Sequence, residues 1–319
     1  LVLAWLVAAQ WWMFDQAPLA LVRPFPAWMR WLVLALGSAL WWLGTAHFAQ
    51  SVNASSLYSF YQARLVRAYL AVGNPRRGLW APFTPRDLRL RDVTEVARED
   101  DIDLTAHRPE CRGGPLHLVN TCLNQTRDDA SGLFNADRKG TLVTASARAL
   151  EVGPRDVLSW QDFCPQDGSA SGCGTLGHWV AVSGAAAAPG AGSYTSRGWA
   201  LVMFLLGIRL GYWTPAPTGP GSAPPGLPGW LWRHAPKPLM MWGEASATFH
   251  GRARPWWYLS DGGHFENTGV YALIKRQCDF IVLADASADG DYQFADIENL
   301  VRKARIDLDY TRLKSPIAG

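Results

Sequence analysis

The sequence predicts an α/β fold: a three-layer domain with a mostly parallel sheet, preceded by an N-terminal transmembrane helical hairpin. Three observations predict it. Strand and helix patterns alternate over residues 256–308, which is typical of a parallel sheet covered by helices. The stretch "DFIVLADAS" (279–287) is continuously apolar, as strands buried on both faces are. Residues 31–48 carry no formally charged side chain.

The hairpin is predicted within residues 1–50. The stretch "WLVLALGSALWWLGTAHF" (31–48) approaches the ~20 residues that cross a bilayer, and tryptophans lie towards its ends, where indole rings favour the membrane interface. Residues 1–14 are interpreted as part of another span, and prolines interrupt the segment between the two. A buried core helix is the alternative to the second span. Arginines flank it on both sides, so the membrane orientation stays open.

Residues 51–319 are predicted to form the C-terminal part of the α/β domain. Its early elements are a helix ending at Gly73, strands in 115–124 and 140–150, a strand in "LGHWVAV" (176–182), an apolar helix over 199–213 and a Pro/Gly-rich loop at 214–229. Arg209 within the apolar helix favours a core or interfacial position over a third membrane span.

The C-terminal elements place one carboxylate at a strand end. "WWYLSDGG" predicts a strand that runs into a turn, and the next helix has Asn267 as its expected N-cap. The strand over 279–287 and an amphipathic helix over 294–308 follow. Because reactive groups of parallel sheets lie at the carboxyl ends of strands, Asp261 becomes the main candidate residue.

Composition excludes several classes of function. Lys and Arg number 30 against 27 Asp and Glu, and no basic block is present, so nothing indicates nucleic acid binding. None of the five cysteines forms a Cys-x-x-Cys pair, so neither a zinc site nor a redox motif is indicated, and buried free thiols are expected. A Cys164–Cys173 disulfide is the alternative in an oxidising compartment.

Three roles for Asp261 remain open on the residues alone. It could be a general base that activates a serine for acyl transfer. It could belong to a hydrolytic metal site with His264, Glu266 and His250. It could simply cap the following turn. The metal interpretation is weakened because His264 and Glu266 are two positions apart and would not share a helix face.

The region around Asp261 resembles a known family. "YLSDGGHFENTGVYALIKRQCDFIVLADAS", together with "SSLYSFYQARLVRAYL", "GPLHLVNTCLN", "LGHWVAVSGAAAAP" and "WALVMFLLGIRLGYW" upstream, resembles ordered blocks of bacterial membrane-associated patatin-like phospholipases, over residues 55–308. The resemblance implies a patatin-like fold and a serine–aspartate dyad without cofactors. Asp261 would be its base, and Gly262 and Gly263 would complete its motif. His264 would position the site or contact substrate, and the alternative for it is a structural hydrogen bond.

The resemblance is incomplete at the nucleophile. No Gly-x-Ser-x-Gly elbow and no glycine-rich oxyanion loop occurs in the 319 residues, so the serine is expected upstream of Leu1. Ser183 in "AVSGA" is the nearest alternative, against a structural turn serine. The expected function is a membrane-anchored lipid acyl hydrolase, integral to a bacterial membrane, acting on phospholipid or other acyl-ester lipids. The alternatives are a non-catalytic membrane scaffold or degenerate homologue, and a metal-dependent hydrolase using His264 and Glu266.

Overall fold

The computed structural model describes residues 26–74, 96–127, 139–163, 174–217, 227–285, 287 and 289–308. The helices are α1 Ala27–Gly44, α2 Gln50–Ala54, α3 Tyr58–Leu65, α4 Trp160–Phe163, α5 Leu176–Ser183, α6 Arg197–Leu206, α7 Leu227–His234, α8 Pro236–Ser246, α9 Tyr271–Lys275 and α10 Ala295–Leu308. The strands are β1 Leu118–Asn124, β2 Gly140–Ser146, β3 Leu150–Val152, β4 Asp156–Leu158, β5 Tyr212–Pro215 and β6 Trp256–Asp261.

The sheet is antiparallel, so the predicted mostly parallel patatin-like sheet is wrong. Its six strands lie in the order β4-β3-β2-β1-β6-β5, and every neighbouring pair is antiparallel. The short connections 147–149 and 153–155 join β2 to β3 and β3 to β4. Connections this short fit antiparallel pairs, whereas parallel neighbours need a crossover of a dozen or more residues.

Two segments that the parallel arrangement required as strands are not strands. The stretch "LGHWVAV" forms α5, which the Thr175 hydroxyl caps by accepting the His178 N–H at 3.2 Å. Residues 279–285 pair with no described strand. There Ile281 and Leu283 pack on a core cluster, while the Phe280 and Val282 side chains are 84% and 75% exposed. Alternating apolar residues thus favour an extended chain, but a strand also needs a neighbouring strand with which its backbone can pair.

The predicted transmembrane hairpin is also wrong. Among the described residues, no helix is both long enough and apolar enough to span a bilayer. The predicted span at 31–48 falls partly in α1, whose 18 residues rise about 27 Å, against a hydrocarbon core of about 30 Å. Helix α1 ends at Gly44, and the chain then turns into the domain, where Ala46 and Ala49 are buried. Residues 1–14 lie outside the described part of the chain.

Other predicted elements are confirmed. The helix that begins at Tyr58 continues through a π turn and a 3-10 turn to Gly73. Strands β1, β2 and β6 and the helix α10 occur where the sequence indicates them. The predicted helix over 199–213 is correct only in its first half: α6 ends at Leu206, Gly207 follows in the left-handed region (φ 69°), and β5 begins at Tyr212. The expectation of buried free thiols is confirmed for Cys122 and wrong for Cys111 and Cys278, which are exposed free thiols; Cys164 and Cys173 lie outside the described residues.

Apolar side chains pack on the sheet in three clusters. One contains Trp179 and Trp257, a second contains Trp213 and Tyr258, and the third, under α9 and α10, contains Tyr271. Burying an aromatic side chain of this size stabilises a fold by about 1.5–3 kcal/mol. The clusters pack against β1 and β6, two neighbouring strands that lie between β2 and the edge strand β5, and the candidate site lies where β6 ends.

Candidate functional site

Asp261 is the last residue of β6, beside the middle of β1. Its Cα pairs with that of Thr121, and its N–H donates to the Ala185 carbonyl at 3.4 Å. The segment that follows α5 therefore crosses the end of β6. Directly after Asp261 the chain enters a 3-10 turn, Gly262–His264. The predicted position of Asp261, at a strand end before a glycine turn, is confirmed.

A side chain at either of the two glycines would meet neighbouring atoms. A Cβ on Gly262 would lie 2.4 Å from the Asn120 carbonyl oxygen of β1. A Cβ on Gly263 would lie 2.7 Å from Asn267 Oδ1 and 3.2 Å from Asp261 Oδ1. The contact at Gly262 is with backbone, so the turn can lie against β1 only with glycine at that position. At Gly263 a Cβ would instead displace the side-chain oxygens of Asn267 and Asp261, so this glycine leaves room for the carboxylate.

Only one oxygen of the Asp261 carboxylate accepts a hydrogen bond from a described residue. Its Oδ1 accepts the Gly263 N–H at 2.7 Å, and the side chain is partly exposed. Among the described residues, no Lys or Arg forms an ion pair with it, and no hydrogen bond reaches Oδ2. Asp261 therefore caps the turn, as one interpretation of the sequence expects, and keeps an oxygen that other groups can use.

Two clefts meet at Asp261. The larger, about 350 Å³, is also lined by Asn120 and Ser183. The smaller, about 240 Å³, is also lined by His264 and Asp296. Since Asp261 lines both, a molecule bound in either cleft could reach its carboxylate.

Ser183 lies in the larger cleft with Asp261, so the structure brings these two candidates together. Its hydroxyl makes no hydrogen bond with a described residue. Ser183 ends α5, and a helix C-terminus presents carbonyl oxygens rather than N–H groups. Donors to stabilise an oxyanion at Ser183 would therefore have to come from another segment.

Tyr61 is a neighbour of the site that the sequence did not indicate. Its hydroxyl donates to the Gly184 carbonyl at 2.9 Å. Burial raises the pKa of Tyr61, and the negative charge of Asp261 raises it further. Tyr61 lies on α3, and the apolar periodicity of this helix does not predict a contact between Tyr61 and Gly184. It stays a neutral phenol beside the carboxylate.

His264 is a half-buried, neutral imidazole. Its Nδ1 lies 2.9 Å from the Ser260 Oγ, which also accepts the Asn124 Nδ2–H at 2.8 Å. Burial lowers the pKa of His264, and Asp261 and the Ala186 carbonyl offset this only in part. Ser260 is fully buried, so this Ser–His pair cannot meet a substrate. The contacts indicate that His264 braces the turn and lines the smaller cleft.

The Glu266 side chain accepts hydrogen bonds from two backbone N–H groups. Its Oε1 accepts the Thr268 N–H at 2.5 Å and its Oε2 accepts the Tyr271 N–H at 3.2 Å. Glu266 therefore caps the start of α9, a role that the sequence assigned to Asn267. That assignment is wrong: Asn267 donates instead to the Asp296 carboxylate at 2.8 Å. Glu266 is buried with both oxygens engaged.

The structure does not support the metal interpretation. Within the described ranges, no group of three or more His, Cys, Asp or Glu side chains is placed to hold a metal ion. His250 pairs through its backbone with Gln125 and packs edge-on against Trp232. His264 and Glu266 are occupied as described above.

Glu244 lies in a buried ion pair away from both clefts. Its Oε2 is 2.6 Å from Arg209 Nε, and its Oε1 accepts the Trp213 Nε1–H at 2.8 Å. Burial raises the pKa of Glu244 to about 7, and Arg209 and Trp213 oppose that increase. Of the core or interfacial position that the sequence favours for Arg209, the structure shows the core one, and Glu244 is salt-bridged rather than solvated. Both residues therefore have a structural role.

Comparisons with known proteins give no relative: no protein-family model, no curated protein and no solved structure matches the chain. The resemblance to patatin-like phospholipases thus stands on sequence motifs alone.

Proposed function

We propose that this chain supplies the general base of a lipid acyl hydrolase, and that Asp261 is that base. One observation carries the proposal: the partly exposed Asp261 carboxylate, oriented by the Gly263 N–H, opens on two clefts and has no described cationic partner. A carboxylate that neither neutralises a cation nor lies buried is free to accept a proton from a bound group. A residue that only capped the turn would not need a cleft on each side.

The chemistry is a two-step acyl transfer. As a serine oxygen bonds to the ester carbonyl carbon, its proton passes to the Asp261 carboxylate. The ester C–O bond then breaks, and the leaving alcohol takes that proton. Water then bonds to the acyl-serine carbonyl carbon as its proton passes to the same carboxylate, and that proton returns to the serine oxygen when the acyl C–O bond breaks and the fatty acid leaves. Ser183 shares the larger cleft with Asp261 and is the serine of the described residues to test first.

A lipid is the substrate class that the surface and the motifs favour. The "YLSDGGHFENTG" stretch resembles patatin-like phospholipases. Helices α1, α6, α7 and α8 expose large apolar side chains, among them Trp28, Trp199, Trp230 and Trp242. Exposed tryptophans of this density favour the interface of a bilayer.

The charge on these helices fits an anionic bilayer surface. Their one acidic residue, Glu244, is buried, while Arg233 is exposed. Lys237 joins α8 to α1: its Nζ donates to Thr45 Oγ1 at 2.9 Å and lies 5.0 Å from the centre of the Trp41 ring. Apolar helices with basic flanks and no exposed acid bind in the plane of a membrane interface. We therefore propose that the protein works at the surface of a lipid bilayer.

The proposed activity can be tested by product analysis. Incubated with phospholipid vesicles, the full protein is expected to release fatty acid and lysophospholipid, measured by mass spectrometry. Exhaustive chelation is expected to leave the rate unchanged, because proton transfer to a carboxylate needs no metal and both oxygens of Glu266 are held by N–H groups.

Other outcomes would favour the alternatives. Loss of the rate on chelation, with recovery on adding a divalent ion, would favour the metal-dependent hydrolase. Absence of fatty acid release from any ester, from a protein that still binds the vesicles, would favour the non-catalytic scaffold.

A further inference from the structure

We propose that an apolar cleft between residues 186–196 and α6 binds the acyl chain of the ester, a proposal that rests on the proposed function. The cleft has a volume of about 200 Å³. Ala186 and Tyr194 line both this acyl cleft and the smaller cleft at Asp261. The two spaces therefore adjoin, and a chain bound in the acyl cleft can present its ester carbonyl near the carboxylate.

The lining suits a hydrocarbon chain. Ala188, Pro189, Trp199 and Met203 contribute carbon-rich walls, and no lining side chain carries a charge. Each methylene group moved from water into such a cleft stabilises the complex by about 0.8 kcal/mol. An unbranched chain is the ligand whose shape and polarity match an apolar cleft of this kind.

Hydrogen bonds hold the segment 192–195, which forms one wall of the acyl cleft, in place. The Gly192 N–H donates to Asn124 Oδ1 at 2.9 Å, and Lys139 Nζ binds the Ser193 and Thr195 carbonyls at 3.2 Å each. Gly192 has φ +52°, and a Cβ there would lie 2.1 Å from the His264 carbonyl oxygen. The cleft wall is therefore fixed directly against the turn that carries Asp261.

The far side of the acyl cleft opens towards the exposed face of α6. Trp199 lines the cleft, and 66% of its surface is exposed. Val202 and Leu206, on the same helix, are exposed as well. A chain leaving a bilayer could thus pass along α6 and into the cleft without crossing a polar surface.

Met203→Trp, which fills the acyl cleft, tests the proposal. With p-nitrophenyl esters, kcat/KM for the decanoate is expected to fall at least ~10-fold while that for the acetate changes less than ~2-fold, because only the long ester uses the cleft. Met241→Trp is the matched control, since Met241 is a half-buried methionine on α8 outside the clefts. Trp199→Ala, at an exposed position, removes a wall without disturbing the core and is expected to weaken decanoate turnover about 3–10-fold.

A binding measurement separates this proposal from the proposed function. A fluorescent ten-carbon fatty acid is titrated into Asp261→Asn protein with and without Met203→Trp. Binding that Met203→Trp weakens at least ~10-fold and Met241→Trp leaves unchanged supports the acyl cleft even if the protein hydrolyses no ester. Equal binding with and without Met203→Trp, or equal losses for acetate and decanoate, would overturn the acyl cleft while leaving Asp261 as a base.

Discussion

Replacing Asp261 with asparagine is expected to lower kcat for ester hydrolysis by roughly 10²–10⁴-fold, the usual contribution of a general base. An amide oxygen can still accept the Gly263 N–H that Asp261 Oδ1 accepts now, so the turn and the substrate KM should be preserved. The amide cannot take a proton from a serine hydroxyl. Initial rates on a soluble ester, with circular dichroism to check the fold, measure the effect.

Asp296→Asn is the matched control. Asp296 also lines the smaller cleft, but it accepts a hydrogen bond from Asn267 and lies on α10. Its replacement removes the same charge from the same cleft and is expected to change kcat less than about threefold. Equal losses from the two variants would mean that the cleft needs negative charge, and would remove Asp261 from the role of base.

Replacing Arg209 with methionine is expected to destabilise the protein by ~3–5 kcal/mol, because it leaves the Glu244 carboxylate buried without its cation. Arg209 also donates to the Val52 carbonyl at 3.1 Å and the Ser55 hydroxyl at 2.5 Å, and both acceptors lose that partner. The free energy of unfolding from urea titration measures the change. The double variant Arg209→Met/Glu244→Gln is expected to recover much of it, since no buried charge then remains.

The Arg209→Met effect should depend on pH. The folded-state pKa of Glu244 is raised to about 7, above an ordinary value of 4.5, and loss of Arg209 raises it further. A raised pKa means that the folded state holds the proton more tightly, so this contribution to stability is complete below pH ~4.5 and is lost as pH rises through the folded value. The deficit of the variant should therefore be smaller at pH 5 than at pH 8. A deficit independent of pH would assign the loss to packing alone.

The sequence indicated Asp261 because the residues before it predict a strand and the residues after it predict a turn. "WWYLSDGG" combines β-favouring aromatic residues with a glycine turn, and the structure forms β6 and the turn there. The reason for the first glycine, Gly262, lay elsewhere in the chain, at Asn120 on β1. No local pattern reports a contact with a strand more than a hundred residues away, so the sequence could predict the turn but not what packs against it.

The topology could not be predicted because it depended on two short apolar runs. "LGHWVAV" is buried on nearly every side, so it lacks a period that would distinguish a helix from a strand. The stretch at 279–285 has strand composition but no described partner strand. Counting both as strands produced the βαβ alternation and hence the parallel sheet. The capping by Glu266 was missed for a similar reason, because Asn267 fits the local capping pattern equally well.

Covalent labelling tests most directly whether Asp261 activates a serine. A fluorophosphonate transfers its phosphonyl group to a serine oxygen and releases fluoride, a step that needs a base to accept the hydroxyl proton. The full protein is expected to gain one phosphonyl group, located by peptide mass spectrometry, at a rate that falls at least ~100-fold in Asp261→Asn and is unchanged in Asp296→Asn. Labelling of Asp261→Asn at the wild-type rate, or an active protein that takes up no label, would contradict the account.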